Sequence, residues 1–351
     1  MRPLDDRSFV ERLDPSGMLR LTEAFPDQCR KALAIAQGVP LPVLRATPSC
    51  VVLTGLGGSA AGGDFVKALF DEGGACPFFV NRDYSLPAFV DSQTLVFAAS
   101  YSGNTEETLA AYADAKERSA KVVAVTTGGK LAETAQKNGD TLVTIPGGQP
   151  PRTALGYMFV PVAYACAKLS LFPTPRFEDE FALLDMCVQE WTVAAEGNEA
   201  KRLAEALHEK LAVLYGLGAW QGAVANRWKG QINENAKVMA FANAFPELCH
   251  NEILGWVKAS EQGVEEWVGV VLEDGTESAK MKKRAAVTAS LVKGTAEFFH
   301  VRARGKTLIE KTLSLALMGD FVSLYMAALN GVDPENIDSI NVLKSELAKL
   351  V

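Results

Sequence analysis

Short, continuous apolar runs alternate with helix-length segments through the first half of the chain. The runs at 51–54, 78–80, 94–97, 122–125 and 141–145 read as strands. They are unbroken rather than alternating, as strands buried on both faces are. Segments 60–70, 106–118 and 130–137 lie between most of them and read as helices, and residues 5–37 form a helical preface. This βαβ rhythm predicts an α/β fold with a doubly wound parallel sheet, its ligands bound beyond the carboxyl ends of the strands. The stretch 153–172 is nearly all apolar, yet it contains Pro161 and Lys168. It predicts a buried helix rather than a membrane span.

The pattern repeats. Val52-Leu53-Thr54-Gly55-Leu56-Gly57 returns in the second half as Val213-Leu214-Tyr215-Gly216-Leu217-Gly218, and further strands follow at 267–272 and 297–301. Two copies of one α/β unit are expected, divided near the proline-marked Phe172-Pro173-Thr174-Pro175. The expected organisation is a helical segment 1–45, a first domain 46–172, a helical connection 173–208, a second domain 209–330 and a tail helix in 331–351. The copies diverge after their glycines. The first continues Gly58-Ser59-Ala60-Ala61, small and hydroxyl-bearing, and the second Ala219-Trp220-Gln221-Gly222. Only the first turn lets a phosphate approach the backbone.

Composition narrows the possibilities. A chain of 351 residues, 48% apolar and 22% charged, has room for about two globular domains. Its net charge of −7 disfavours nucleic acid, and the densest basic run, Lys280-Met281-Lys282-Lys283-Arg284, reads as a solvated helix face. An anionic ligand would therefore need a local, amide-rich pocket. Six cysteines without C-x-x-C spacing read as reduced thiols in a cytoplasmic protein, and no secretory signal is visible. His208, His250 and His300 lack ligand spacing, so no metal site is expected.

Two loops carry the chemistry. Gly55-Leu56-Gly57-Gly58-Ser59-Ala60 fits the dinucleotide pattern G-x-G-x-x-A, which frees backbone N–H groups at a helix start for any phosphate. The acidic residue that would complete a nicotinamide site, Asp83, lies beyond the spacing of about 20 residues that such sites use. A nucleotide-dependent oxidoreductase is thus the weaker reading. Ser100-Tyr101-Ser102-Gly103-Asn104-Thr105-Glu106-Glu107 follows the third strand. A helix cap at Ser102 or Asn104, with Glu107 closing a capping box, accounts for part of it. It leaves Ser100, Ser102 and Thr105 unexplained. With Ser59 these make four small hydroxyl donors at adjacent strand ends, suited to the three oxygens of a phosphate monoester.

Gly57-Gly58-Ser59 and Ser100 to Thr108 resemble the phosphosugar loops of SIS (sugar isomerase) domains. Pro151-Arg152, Asn233-Glu234-Asn235-Ala236-Lys237 and Glu247-Leu248-Cys249-His250-Asn251-Glu252 resemble the bifunctional phosphoglucose/phosphomannose isomerase family. Gly319-Asp320-Phe321-Val322-Ser323-Leu324-Tyr325 and Leu343-Lys344 are similar to its C-terminal signature. The resemblance implies two SIS-type domains related by duplication, and a metal- and cofactor-free interconversion of glucose or mannose 6-phosphate with fructose 6-phosphate. It implies a homodimer without nucleic-acid or membrane partners.

By the same resemblance Gly58, Ser59, Ser100, Ser102 and Thr105 hold the phosphate. Glu234 shuttles the proton, and Arg152 neutralises the enediolate. His250 opens the ring, in one arrangement from the partner subunit, and Lys344 bonds a sugar oxygen. From the residues alone, Glu234 falls on a helix over 222–238 whose apolar stripe is Val224, Trp228, Ile232 and Ala236. It shares the polar side with Arg227 and Gln231, where a surface glutamate would also sit. Cys249, and Asp333-Pro334-Glu335-Asn336, depart from the family pattern. A non-catalytic SIS sensor of sugar phosphates is the rival from another class.

Overall fold

The computed structural model describes residues 3–264, 266–292, 294–347 and 349. Three helices, α1 (Arg7–Arg12), α2 (Met18–Glu23) and α3 (Phe25–Gln37), make the preface. The first α/β unit follows as β1 (Val51–Thr54), α4 (Gly57–Gly73), β2 (Phe78–Asn81), β3 (Leu95–Ala99), α5 (Glu106–Glu117), β4 (Lys121–Thr126), α6 (Gly129–Lys137) and β5 (Thr141–Thr144). Its strands pair parallel in the order β2-β1-β3-β4-β5. A 3₁₀ turn at Pro151–Thr153 leads into α7 (Leu155–Lys168), and α8 (Phe177–Trp191) and α9 (Glu199–Leu207) connect to the second unit.

There β6 (Leu211–Gly216) is followed by α10 (Ala219–Gln231), a π-helical turn at Ile232–Ala236, and β7 (Ala240–Ala244). Then come 3₁₀ segments at Glu247–His250 and Glu252–Glu261, β8 (Trp267–Glu273), α11 (Ala279–Val292), β9 (Ala296–Arg302), α12 (Leu308–Leu329) and α13 (Asp338–Leu347). The second sheet, β7-β6-β8-β9, is parallel and repeats the arrangement around the first strand.

Side-chain parity along the strands explains the layers. Val51, Leu53, Leu95 and Phe97 point inward, to a core shared with Leu214, Val268 and Val270 of the second sheet and with α3, α4, α7, α10 and α12. Val52, Val96 and Ala98 point outward, against α5 and α6. The second sheet likewise turns Val213, Tyr215 and Val271 outward, against Trp256 and Ala285. The apolar stretch containing Pro161 is the buried helix α7. Helix α12 is long and apolar enough to cross a membrane, but it runs buried through the shared core. The six cysteines are unpaired, and burial raises the Cys29 and Cys166 thiols above their ordinary pKa.

β7 has no counterpart in the apolar pattern. Its sequence, Ala240-Phe241-Ala242-Asn243-Ala244, has low strand propensity and is held by pairing with β6.

Candidate active site

In both sheets the strand order reverses at the first strand, and in the first sheet the switch lies between β1 and β3, where a doubly wound fold opens a crevice. β1 ends in the turn that starts α4, and β3 ends in the serine loop that starts α5. The Ser59 hydroxyl accepts from the Tyr101 N–H at 3.3 Å and so ties the two loops together. The Ser100 hydroxyl pairs with that of Thr105 at 2.8 Å and accepts from the Gly103 N–H at 3.1 Å. Gly103 has φ +69°, and a Cβ there would meet the Gly128 carbonyl oxygen, so the loop needs glycine at this position. Ser102 is exposed and accepts from the Asn104 N–H.

The expected capping box is absent among the described residues. Thr105, not Ser102 or Asn104, occupies the cap position of α5, and its hydroxyl is turned to Ser100. Asn104 instead accepts from the Lys130 N–H at the start of α6. Neither α4 nor α5 has a side-chain cap among the described residues; the Ser59 N–H is taken by the Leu56 carbonyl oxygen at 3.1 Å, and the N–H groups before it in α4 and those opening α5 form an anion cradle with the four hydroxyls.

Next to this cradle, the first turn of α4 meets Arg152. A Cβ on Gly58 would stand 2.9 Å from the Pro151 carbonyl oxygen, so glycine is what lets the Pro151–Thr153 turn approach. Gly57, Gly58, Arg152, Arg227, Gln231 and Glu234 line one cavity of about 230 Å³. Arg152 is 5% exposed, and its Nη1 lies 3.6 Å from the Glu234 carboxylate, which keeps 38% of its side-chain surface open. Burial pulls the Arg152 guanidinium below its ordinary pKa, opposed by Glu234, Glu335 and Asp333. On its other side Glu234 borders a cleft of about 320 Å³ with Lys237, Met239 and the start of α13. Burial lowers Lys237, and so does the nearby Arg152 charge, while Asp333 and Glu234 act in the opposite sense.

The helix carrying Glu234 differs from its sequence reading. Val224, Trp228, Ile232 and Ala236 are buried as expected, but so are Arg227 and Gln231 on the side expected to face water. Asp320 of α12 takes both, accepting from Arg227 Nη2 at 2.8 and 2.9 Å and from Gln231 Nε2 at 2.7 Å. α10 ends at Gln231, and the following π turn, closed by Lys237 at φ +60°, carries Glu234. The departing segment around Pro334 lies directly on the site, its carbonyl accepting from Arg152 Nη2 and from Lys237 Nζ.

Thus Gly58, Arg152 and Glu234 meet in one cavity, with Ser59, Ser100, Ser102 and Thr105 clustered beside it. His250 and Lys344 line neither cavity that Glu234 borders. His250 is exposed at the end of its 3₁₀ turn, and Lys344 is exposed on α13, which buries none of its described residues. Sequence reasoning did not assign Asn235, which accepts from Arg152 Nε at 2.7 Å; it stood inside the quoted motif, next to Glu234.

Comparison with known proteins bears on this arrangement. A model of the SIS domain matches residues 48–158, and one of the bacterial phospho-glucose isomerase C-terminal SIS domain matches 196–347. A bifunctional phosphoglucose/phosphomannose isomerase of Caldicellulosiruptor bescii is 41% identical over 331 residues, 93% of this chain and 97% of that relative. The chain belongs to the bifunctional phosphoglucose/phosphomannose isomerase family. A member of this family from Thermoplasma volcanium is 34% identical, covering 85% of the chain and 91% of the relative. Among solved structures, a hypothetical protein from Thermus thermophilus superposes with a TM-score of 0.73, over 98% of this chain and 92% of that one. At 15% identity this is a likeness of fold.

Proposed function

We propose that the protein interconverts glucose 6-phosphate and mannose 6-phosphate with fructose 6-phosphate. The observation that carries this is the pairing of a partly open carboxylate, Glu234, with a buried guanidinium, Arg152, at 3.6 Å beside the hydroxyl-rich helix starts. The phosphate rests on the N–H group of Gly58 and on the hydroxyls of Ser59, Ser100, Ser102 and Thr105. That grip leaves C1 and C2 of the open-chain sugar to lie along the cavity toward Glu234.

The chemistry is a proton relocation. Ring opening moves a proton from the anomeric hydroxyl to the ring oxygen, and His250 serves as the acid and base for it. Glu234 then takes the C2 proton; the C–H electron pair forms the C1–C2 double bond, and the carbonyl electrons move onto O1. Arg152 faces the resulting enediolate and offsets its charge in a cavity lined largely by charged and polar side chains. Glu234 returns the proton to C1, the C1–C2 pair taking it up, while the O2 proton passes to O1, giving the ketose with its C2 carbonyl and C1 hydroxyl. Glucose and mannose phosphates yield the same enediol, so both epimers are reached by protonating C2 from either face. Lys344 donates to a sugar oxygen.

A homodimer supplies His250 across its interface. Support comes from the isolated chain, where His250 is exposed, its ring without a hydrogen bond among the described residues, and outside both cavities beside Glu234. Phe241, Leu254 and Val257, exposed apolar side chains of the same region, suit a subunit contact.

Glu234→Gln should abolish turnover while leaving sugar-phosphate binding intact, and His250→Asn should also be inactive. Refolded together, the two variants should recover about a quarter of parental turnover, because half the dimers then hold one intact site. An active Glu234→Gln enzyme contradicts the site, and a mixture that stays inactive contradicts the shared interface.

A further inference from the structure

The segment Gly319-Asp320-Phe321-Val322-Ser323-Leu324-Tyr325 is buried in the middle of α12, and its Asp320 and Ser323 side chains line neither cavity beside Glu234. A polar group in such a place destabilises unless it is bonded. Both are bonded, and the bonds have a direction. Ser323 Oγ donates to the Asp320 carbonyl oxygen at 2.9 Å and so has only lone pairs left to offer. Asn235 Nδ2 lies 2.9 Å from it, and this commits the nitrogen end of the amide to Ser323.

The oxygen end therefore faces Arg152 Nε, at 2.7 Å. Turning the amide over would set its NH₂ against the guanidinium N–H and its carbonyl against a hydroxyl with no free proton. Two buried donors would then lack partners, Asn235 being 1% exposed and Arg152 5%. With Nε held, Nη2 reaches the Pro334 carbonyl and Nη1 is the nitrogen left toward Glu234. Asp320, one turn before Ser323, holds Arg227, whose Nη2 also donates to the Arg152 carbonyl at 3.1 Å. α12 thus holds both the side chain and the backbone of Arg152.

We infer that Ser323, acting through Asn235, is a positioning residue for the Arg152 guanidinium. The inference rests on the reading of Arg152 and Glu234 as the groups that face the reacting carbons. It gives the polar members of the 319–325 segment a task that packing alone does not.

Ser323→Ala removes one atom and keeps a good helix former. With glucose 6-phosphate, well below the melting temperature of each variant, kcat should fall about tenfold and KM stay within about twofold, since misaimed groups cost turnover rather than phosphate grip. Asn235→Ala should lose at least as much. The double variant should be no slower than Asn235→Ala alone, because residues acting in series do not add. Ser323→Cys keeps the side-chain shape, slightly enlarged, with a poorer acceptor and should fall in between, which decides the question if the alanine variant folds badly. Parental kcat in Ser323→Ala or Ser323→Cys, or losses that multiply in the double variant, would overturn the inference. Glu234→Gln assayed alongside separates the two readings. If it is active, site and relay fall together; if it is inactive beside a fully active Ser323→Ala, the relay alone falls.

Discussion

One hydroxyl, that of Ser100, serves two neighbours: it accepts from the Gly103 N–H and shares a hydrogen bond with Thr105. It is 1% exposed, so its lost contacts cannot be replaced by bulk water. A hydrogen bond to a charged group contributes about 1.5–3 kcal/mol, so Ser100→Ala should raise KM for hexose 6-phosphates roughly tenfold or more, with a smaller change in kcat. Steady-state kinetics with both substrates checks this, and an unchanged KM contradicts the cradle. Such hydroxyls were legible in the sequence because they cluster within one loop. Asn235 and Ser323 were not, since what each bonds depends on which helix lies across from it. The polar face of Arg227 and Gln231 misled for the same reason, because only the fold brings Asp320 to cover it.

At the scale of elements, β1, β3 and the helices after them were plain in the apolar pattern, whereas β7 was not, because its alanines and asparagine form a strand only beside β6. The end of β8 is tied to α12 by Lys311, whose Nζ lies 2.7 Å from Asp274 Oδ2. Burial alone would raise the Asp274 carboxyl, but the bonds from Lys311 and from the N–H and hydroxyl of Thr276 outweigh it and hold the pKa below the ordinary 3.8. A carboxyl depressed in the folded state contributes stability above its unfolded pKa, and that contribution is lost as pH falls through the depressed value. Asp274→Asn should lower the melting temperature at neutral pH and flatten its decline below about pH 4. Thermal melts across that range test it, and a decline as steep as the parent's would contradict the tie.

For the whole molecule, the glycine echo was a sound guide to two parallel sheets with the same order around their first strands. The divergence of the two copies after their glycines was legible as well. The first carries the hydroxyl-rich helix starts and the second Glu234, and α12 from the end of the second half holds Arg152 through Asn235 and Arg227. The pattern did not convey that α13 leaves Ile340, Val342, Leu343 and Leu347 exposed, with Lys344 exposed among them. The central claim is that one site, built between the halves, moves a proton on either hexose phosphate. It is tested most directly by supplying glucose 6-phosphate and mannose 6-phosphate separately, with a chelator present, and following fructose 6-phosphate. The account predicts product from both. Binding of either sugar phosphate without any product would contradict it.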